Sequence, residues 1–126
     1  MSEPTPARKK ILFVDDEPLI CEAVKMMLEF DGHEVSTTHN ATEALAAFGQ
    51  AQFDLVITDY KMPGMTGDEL ALALKARRPG LPVVMLTAHA EMLKTKTVPL
   101  TGVDQLVSKP FQLADLRKAI GAASAG

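Results

Sequence analysis

The chain carries a single cysteine, Cys21, among 126 residues, which excludes an internal disulfide and fits a reducing compartment. It has no apolar run near membrane-spanning length, and its start, Met-Ser-Glu-Pro-Thr-Pro, does not have the form of a secretory signal. A cytoplasmic location is the expectation. An excess of positive charge is missing too: 13 Lys and Arg against 16 Asp and Glu leave a formal net charge of −3. That balance gives no argument for direct contact with nucleic acid. The most basic stretch, Arg8-Lys9-Lys10, is short and reads as a solvated lead-in to the first strand. The histidines lack metal-ligand spacing, and His33 and His39 are expected at the surface of a strand edge. No segment repeats.

Four short apolar runs each stop on a polar residue suited to handling phosphate. Ile11–Val14 runs into Asp15-Asp16-Glu17, and Leu55–Thr58 runs into Asp59. Val83–Leu86 ends at Thr87, and Leu106–Ser108 ends at Lys109-Pro110. The first run has no polar alternation, as expected of a strand buried on both faces. Between the runs lie helical patterns. Pro18 opens the first, Ile20, Val24, Met27 and Leu28 recur along it, and Asp31-Gly32 stops it. Cys21 falls inside this pattern and reads as a small buried hydrophobe. Asn40-Ala41-Thr42-Glu43 and Thr66-Gly67-Asp68-Glu69 read as capping boxes for two more helices. Asn40 also heads a glycosylation sequon, but the cap is the preferred reading.

A short strand near 34–38 is partly polar and belongs at an edge. From Ala90 to Asp104 the β-branched Thr95, Thr97 and Val98, with Pro99, predict only a short or frayed helix. Leu113, Leu116 and Ile120 mark the last amphipathic helix. The expected organisation is a disordered lead over 1–9, one domain over 10–121 and a flexible tail over 122–126. Five strands alternating with helices predict an α/β fold: a doubly wound, five-stranded parallel sheet, flavodoxin-like, with strand order 2-1-3-4-5. Ligands of such sheets bind at the carboxyl ends of the strands. Three acids, a hydroxyl and an ammonium would converge there, a set suited to a divalent metal and a phosphoryl group.

Val14-Asp15-Asp16-Glu17, Thr58-Asp59-Tyr60-Lys61-Met62-Pro63-Gly64, Leu86-Thr87-Ala88 and Ser108-Lys109-Pro110-Phe111, in that order and each at a strand end, resemble the receiver domains of two-component response regulators, including the chemotaxis regulators. The resemblance covers nearly the whole chain from Lys10. It implies that Asp59 accepts a phosphoryl group, and that Mg²⁺ is held directly by Asp16, Asp59 and the backbone carbonyl of Lys61, with Asp15 acting through water. It implies further that Lys109 pairs with one phosphoryl oxygen and that the Thr87 hydroxyl bonds another. The donor would be a phosphohistidine on a sensor histidine kinase or phosphotransfer protein. The output would be a partner-binding face near segment 90–104 and the last helix, serving a downstream partner or an output domain that this chain does not include. The Gly/Ala/Ser ending permits continuation into a longer protein. On this reading the chain is not an enzyme with turnover on a separate substrate.

Two positions depart from the family pattern. Leu106 stands where members often carry a switching Tyr or Phe, and Pro99 interrupts what is usually a helix. Lys61 and His89 hold the positions that in this family flank the path of attacking water, so they are expected to tune how long the acyl phosphate lasts. Met62 and Met65 are expected to pack rather than ligate. The competing readings are a pseudo-receiver that is never phosphorylated and a phosphatase with an aspartyl nucleophile. The first leaves the full set of acids, Thr87 and Lys109 unexplained. The second requires an acid two residues past the nucleophile, where this chain has Lys61.

Overall fold

The computed structural model describes residues 8–88 and 102–125. Strand β1 (Lys10–Val14) leads to helix α1 (Pro18–Phe30), β2 (Glu34–Thr38), α2 (Ala41–Gln50), β3 (Leu55–Asp59) and α3 (Gly67–Arg77). After β4 (Val83–Thr87) come β5 (Gln105–Ser108) and a last helix, here α4 (Leu113–Ala125). All strand pairs are parallel and the order is β2-β1-β3-β4-β5, as the alternation of runs and helices predicts. Segment 89–101, on which the frayed-helix expectation falls, lies outside the described residues.

The pleat divides the core into two layers. Ile11, Phe13, Ile57, Val84 and Leu86 pack with Val24 and Leu28 of α1 and with Leu116 and Ile120 of α4. Leu12, Val14, Val56 and Val83 point the other way, onto Ala44 of α2 and Leu70 and Leu74 of α3. Each fully buried side chain of this size contributes about 1.5–3 kcal/mol of transfer free energy. The central strands β3 and β4 are therefore apolar on both faces, and they place Asp59 and Thr87 side by side at one edge of a rigid sheet.

Helix boundaries follow local chemistry. Pro18 occupies the first turn of α1, and Gly32, at φ 91°, lets its N–H and that of His33 close on the Glu29 and Leu28 carbonyls. At α2 the Asn40 side chain accepts from the Glu43 N–H at 2.8 Å, while the Glu43 carboxylate reaches one residue further back than expected, to the His39 N–H at 2.9 Å. At α3 the Glu69 carboxylate accepts from both the Thr66 N–H and the Thr66 hydroxyl.

Three expectations need correction. The tail over 122–126 is not a loose end as far as it is described: α4 continues through Ala125, and Ala123 joins the core. Alanine is the strongest helix former, and its small side chain fits against the sheet, so Gly121 does not stop the helix. The lead ends earlier than residue 9, since the Lys9 carbonyl accepts from the Glu34 N–H; the expectation for residues 1–7 lies outside the described residues. His33 is not a surface residue. It is buried, and its Nδ1 accepts from the Lys9 N–H at 3.0 Å. His39, by contrast, is about half exposed, with Nδ1 3.8 Å from Glu43.

Candidate functional site: an acidic crevice at the strand tips

The carboxyl ends of β1, β3, β4 and β5 surround a crevice of about 560 Å³, lined by Asp16, Glu17, Asp59, Lys61, Thr87 and Lys109 among others. The site residues predicted from the sequence and falling within the described residues therefore come together, apart from Leu106. Asp15 lies in the wall, fully buried, and Asp59 and Thr87 are also buried, whereas Asp16, Glu17 and Lys61 are exposed at the mouth. His89 lies outside the described residues. Leu106 is half-buried on β5 and faces a separate groove beside Asp115 and Lys118 of α4.

Lys109 is the cation paired with the buried acids of the site. Its Nζ lies 2.8 Å from Asp59 Oδ1 and 3.5 Å from Asp15 Oδ2. The strand register holds it there, since the Lys109 N–H donates to the Thr87 carbonyl at 2.8 Å. Burial acts to lower the ammonium pKa, but the contacts with Asp59 and then Asp15 outweigh it and raise the pKa, so Lys109 stays charged. Asp15 shifts upward as well, and there burial is the main cause. The neighbouring charges of Asp59 and Asp16 add to that shift, while the Glu17 N–H on Oδ1 and the Lys109 ammonium oppose it.

The acids are not spent on capping α1. Glu17 stands at the N-cap with no side-chain cap hydrogen bond. Asp15 Oδ2, although buried, accepts no hydrogen bond. A buried carboxylate oxygen without a donor is costly, and a hard cation is the natural remedy. Carboxylate oxygens of Asp15, Asp16 and Glu17 lie within 4.8 Å of one another, a spacing that one divalent ion can bridge. The donor set is all oxygen, which suits Mg²⁺. Glu17 was not among the sequence candidates; its place directly after the acid pair was the available signal.

The surroundings support the floor of the crevice. Cys21 is buried, its thiol donating to the Asp15 carbonyl at 3.3 Å, and burial pushes its pKa up to about 11, which makes it an inert packing residue. Met62 packs under the site, with Sδ 3.9 Å from the Thr58 hydroxyl, and Met65 packs beside the same layer. Gly67 is a residue whose role the sequence did not disclose. It opens α3 against the Asp59 main chain, and its N–H donates to the Tyr60 carbonyl at 2.7 Å.

Comparison with known proteins agrees with this geometry. The family model for the response regulator receiver domain matches residues 11–121. The probable transcriptional regulatory protein TcrX of Mycobacterium tuberculosis is 36% identical over 107 residues, 84% of this chain and 45% of TcrX. The response regulator TrrA of Thermotoga maritima, solved in complex with Mg²⁺-BeF, superimposes with a TM-score of 0.82 at 34% identity, covering 91% of this chain and 98% of that one. The chemotaxis response regulator CheY4 of Vibrio cholerae gives 0.83 at 33% identity over 93% and 99% of the two chains. The chain spans about half the length of the curated relatives it matches.

Proposed function

This chain belongs to the response regulator receiver domain family of two-component signalling, and on that premise we propose that Asp59 is its phosphoacceptor. The observation that carries the reading is the Asp59 carboxylate at the floor of the crevice, 2.8 Å from the Lys109 ammonium and next to a buried acid with an oxygen left unbonded. In the transfer, an Asp59 oxygen forms a bond to phosphorus as the bond from phosphorus to the donor imidazole nitrogen breaks. That nitrogen keeps the electron pair. Positioning and charge stabilisation do most of the work in such a step. Lys109 neutralises one phosphoryl oxygen, and the Thr87 hydroxyl at the neighbouring strand tip bonds another.

Mg²⁺ would be held by Asp16, Asp59 and the Lys61 carbonyl, with Asp15 behind a water, and supplies charge neutralisation between acceptor and phosphoryl group. The chain acts as an acceptor and switch, not as an enzyme turning over a separate substrate. Its donor is a histidine kinase or phosphotransfer protein. The entry side of the crevice has an apolar border: Ile20 and Met27 of α1 with Phe111 line a groove that also contains Lys109, and Leu19, Met26 and Phe30 on the same helix are exposed. That border suits the helix bearing the donor histidine. With Leu106 in place of an aromatic, the switch relies on the Thr87 hydroxyl. In a longer protein an output domain would read the change; this domain itself meets proteins, not nucleic acid.

The test is intact mass after incubation with acetyl phosphate and Mg²⁺. Wild type gains one phosphoryl group, and Asp59→Asn gains none because its amide is not a usable nucleophile. An Asp59→Asn variant labelled at the wild-type rate removes Asp59 as acceptor.

A further inference from the structure

We propose that Gly67 is a positioning residue for phosphoryl acceptance: its missing side chain lets the first turn of α3 seat directly on the main chain of Asp59, and this seat fixes the Asp59 carboxylate. The inference rests on the phosphoacceptor reading above. A Cβ built at Gly67 would lie 2.3 Å from the Asp59 carbonyl oxygen, 3.1 Å from the Asp59 carbonyl carbon and 3.1 Å from Met85 Sδ. Close C–H···O contacts stop at about 3.3 Å, so any side chain requires helix or strand to retreat by about 1 Å. Met85 can swing away, being long and flexible, but the Asp59 carbonyl cannot move without moving its residue. The need for glycine is steric only, because Gly67 is not among the residues with positive φ.

Two further contacts make the seat part of the site. The Gly67 N–H donates to the Tyr60 carbonyl at 2.7 Å, and the Tyr60 N–H donates to the Leu86 carbonyl at 2.9 Å. Helix α3, the turn after Asp59 and strand β4 are thereby joined through one residue pair. The loop they enclose contains Lys61, whose carbonyl is the proposed metal ligand. A side chain at 67 therefore displaces the acceptor carboxylate and a metal ligand together, relative to Lys109 and Asp16. Misplacement by about 1 Å is enough to slow a well-positioned reaction by up to about a hundredfold.

The full chain is compared as wild type, Gly67→Ala, Gly80→Ala and Leu81→Ala. A Cβ at Gly80 meets nothing within 4 Å. Leu81 is fully buried in the same layer as α3 and does not line the crevice, so its truncation destabilises the fold without pushing on Asp59. Mg²⁺ affinity is measured by calorimetry at a temperature where circular dichroism shows each variant folded, and acetyl phosphate labelling is followed by intact mass. Gly67→Ala is expected to weaken Mg²⁺ binding about tenfold and to slow labelling by about tenfold to a hundredfold. The two controls should stay close to wild type in both. Folded Gly67→Ala matching Leu81→Ala in Mg²⁺ affinity and labelling overturns the inference. Should Gly67→Ala fail to fold, wild-type amide resonances decide: Mg²⁺ must shift the Gly67 and Tyr60 amides, and unmoved signals overturn it equally. A wild type that neither binds Mg²⁺ nor takes label removes the phosphoacceptor reading and this inference with it; an active wild type beside an unaffected Gly67→Ala removes this inference alone.

Discussion

Two buried carboxylates in this molecule are treated in opposite ways. Asp31, at the end of α1, is clasped by Arg117 of α4 through two hydrogen bonds of 2.7 Å each, and its side chain is 2% exposed. That guanidinium holds the Asp31 pKa below the usual carboxylate range. Asp15, at the tip of β1, is 0% exposed, has one oxygen without a donor and is shifted upward. The same side chain is thus a finished structural link at one place and an only partly compensated charge at the other. A bidentate guanidinium fills both oxygens and leaves nothing for a ligand to do. Lys109, by contrast, divides one ammonium between Asp15 and Asp59 and leaves the acids in excess. Stability is given up at the crevice, the place proposed to receive a cation and a phosphoryl group.

The sharpest way to break this comparison is to remove a charge from each centre in metal-free buffer. Arg117→Ala removes both charge-assisted hydrogen bonds and opens Asp31 to water, and should destabilise by about 1.5–3 kcal/mol. Asp15→Asn keeps an oxygen for the Glu17 N–H, removes the unmatched charge and should stabilise by about 1 kcal/mol. Urea unfolding of both variants measures the two signs. Equal destabilisation would mean that Asp15 is as well satisfied as Asp31.

This contrast also marks what the sequence could reveal. The apolar runs, their polar stops and Gly32 are local signals, and from them come the strand order and the crevice residues, because a parallel sheet must line up its carboxyl ends. The Asp31–Arg117 clasp joins positions far apart in the chain, and no local pattern marks their pairing. Burial of His33 was missed for a related reason: its acceptor contact is with the backbone of Lys9, which any residue there except proline could supply. Gly67 stands inside a capping box that does not call for glycine, and only the approach of α3 to Asp59 makes it necessary. The helical course of Ala122–Ala125 was hidden by composition, small residues being equally at home in a linker.

A cation should erase the difference between the two centres from one side only. A ligand bound by the native state alone stabilises it by about 1.4 kcal/mol at ten times its dissociation constant. Mg²⁺ should therefore raise the wild-type melting temperature by about 3–8 °C at that ratio. Asp16→Ala should lose the increment, and Arg117→Ala should keep it although it starts from a lower value. Melting curves with and without Mg²⁺ test this. A full increment in Asp16→Ala would remove Asp16 from the ligand set.

The smallest effect concerns His33, which sits next to the finished link. Burial lowers its pKa, and the Asp31 charge only partly offsets that. Its Nδ1 already accepts from the Lys9 N–H, so protonation would set one donor against another. The folded pKa lies below the unfolded value, hence the unfolded chain takes up the proton first. The contribution of neutral His33 is complete above about pH 6.5 and declines as pH falls toward the folded pKa, by no more than about 1.4 kcal/mol per pH unit. Unfolding free energies measured from pH 7.5 to 5.5 should show this decline in wild type, and His33→Gln, which keeps an acceptor but does not titrate, should flatten it. Arg117→Ala should flatten it as well, because an Asp31 charge no longer shared with a guanidinium favours the imidazolium. A slope unchanged in His33→Gln would assign the pH dependence to groups other than His33.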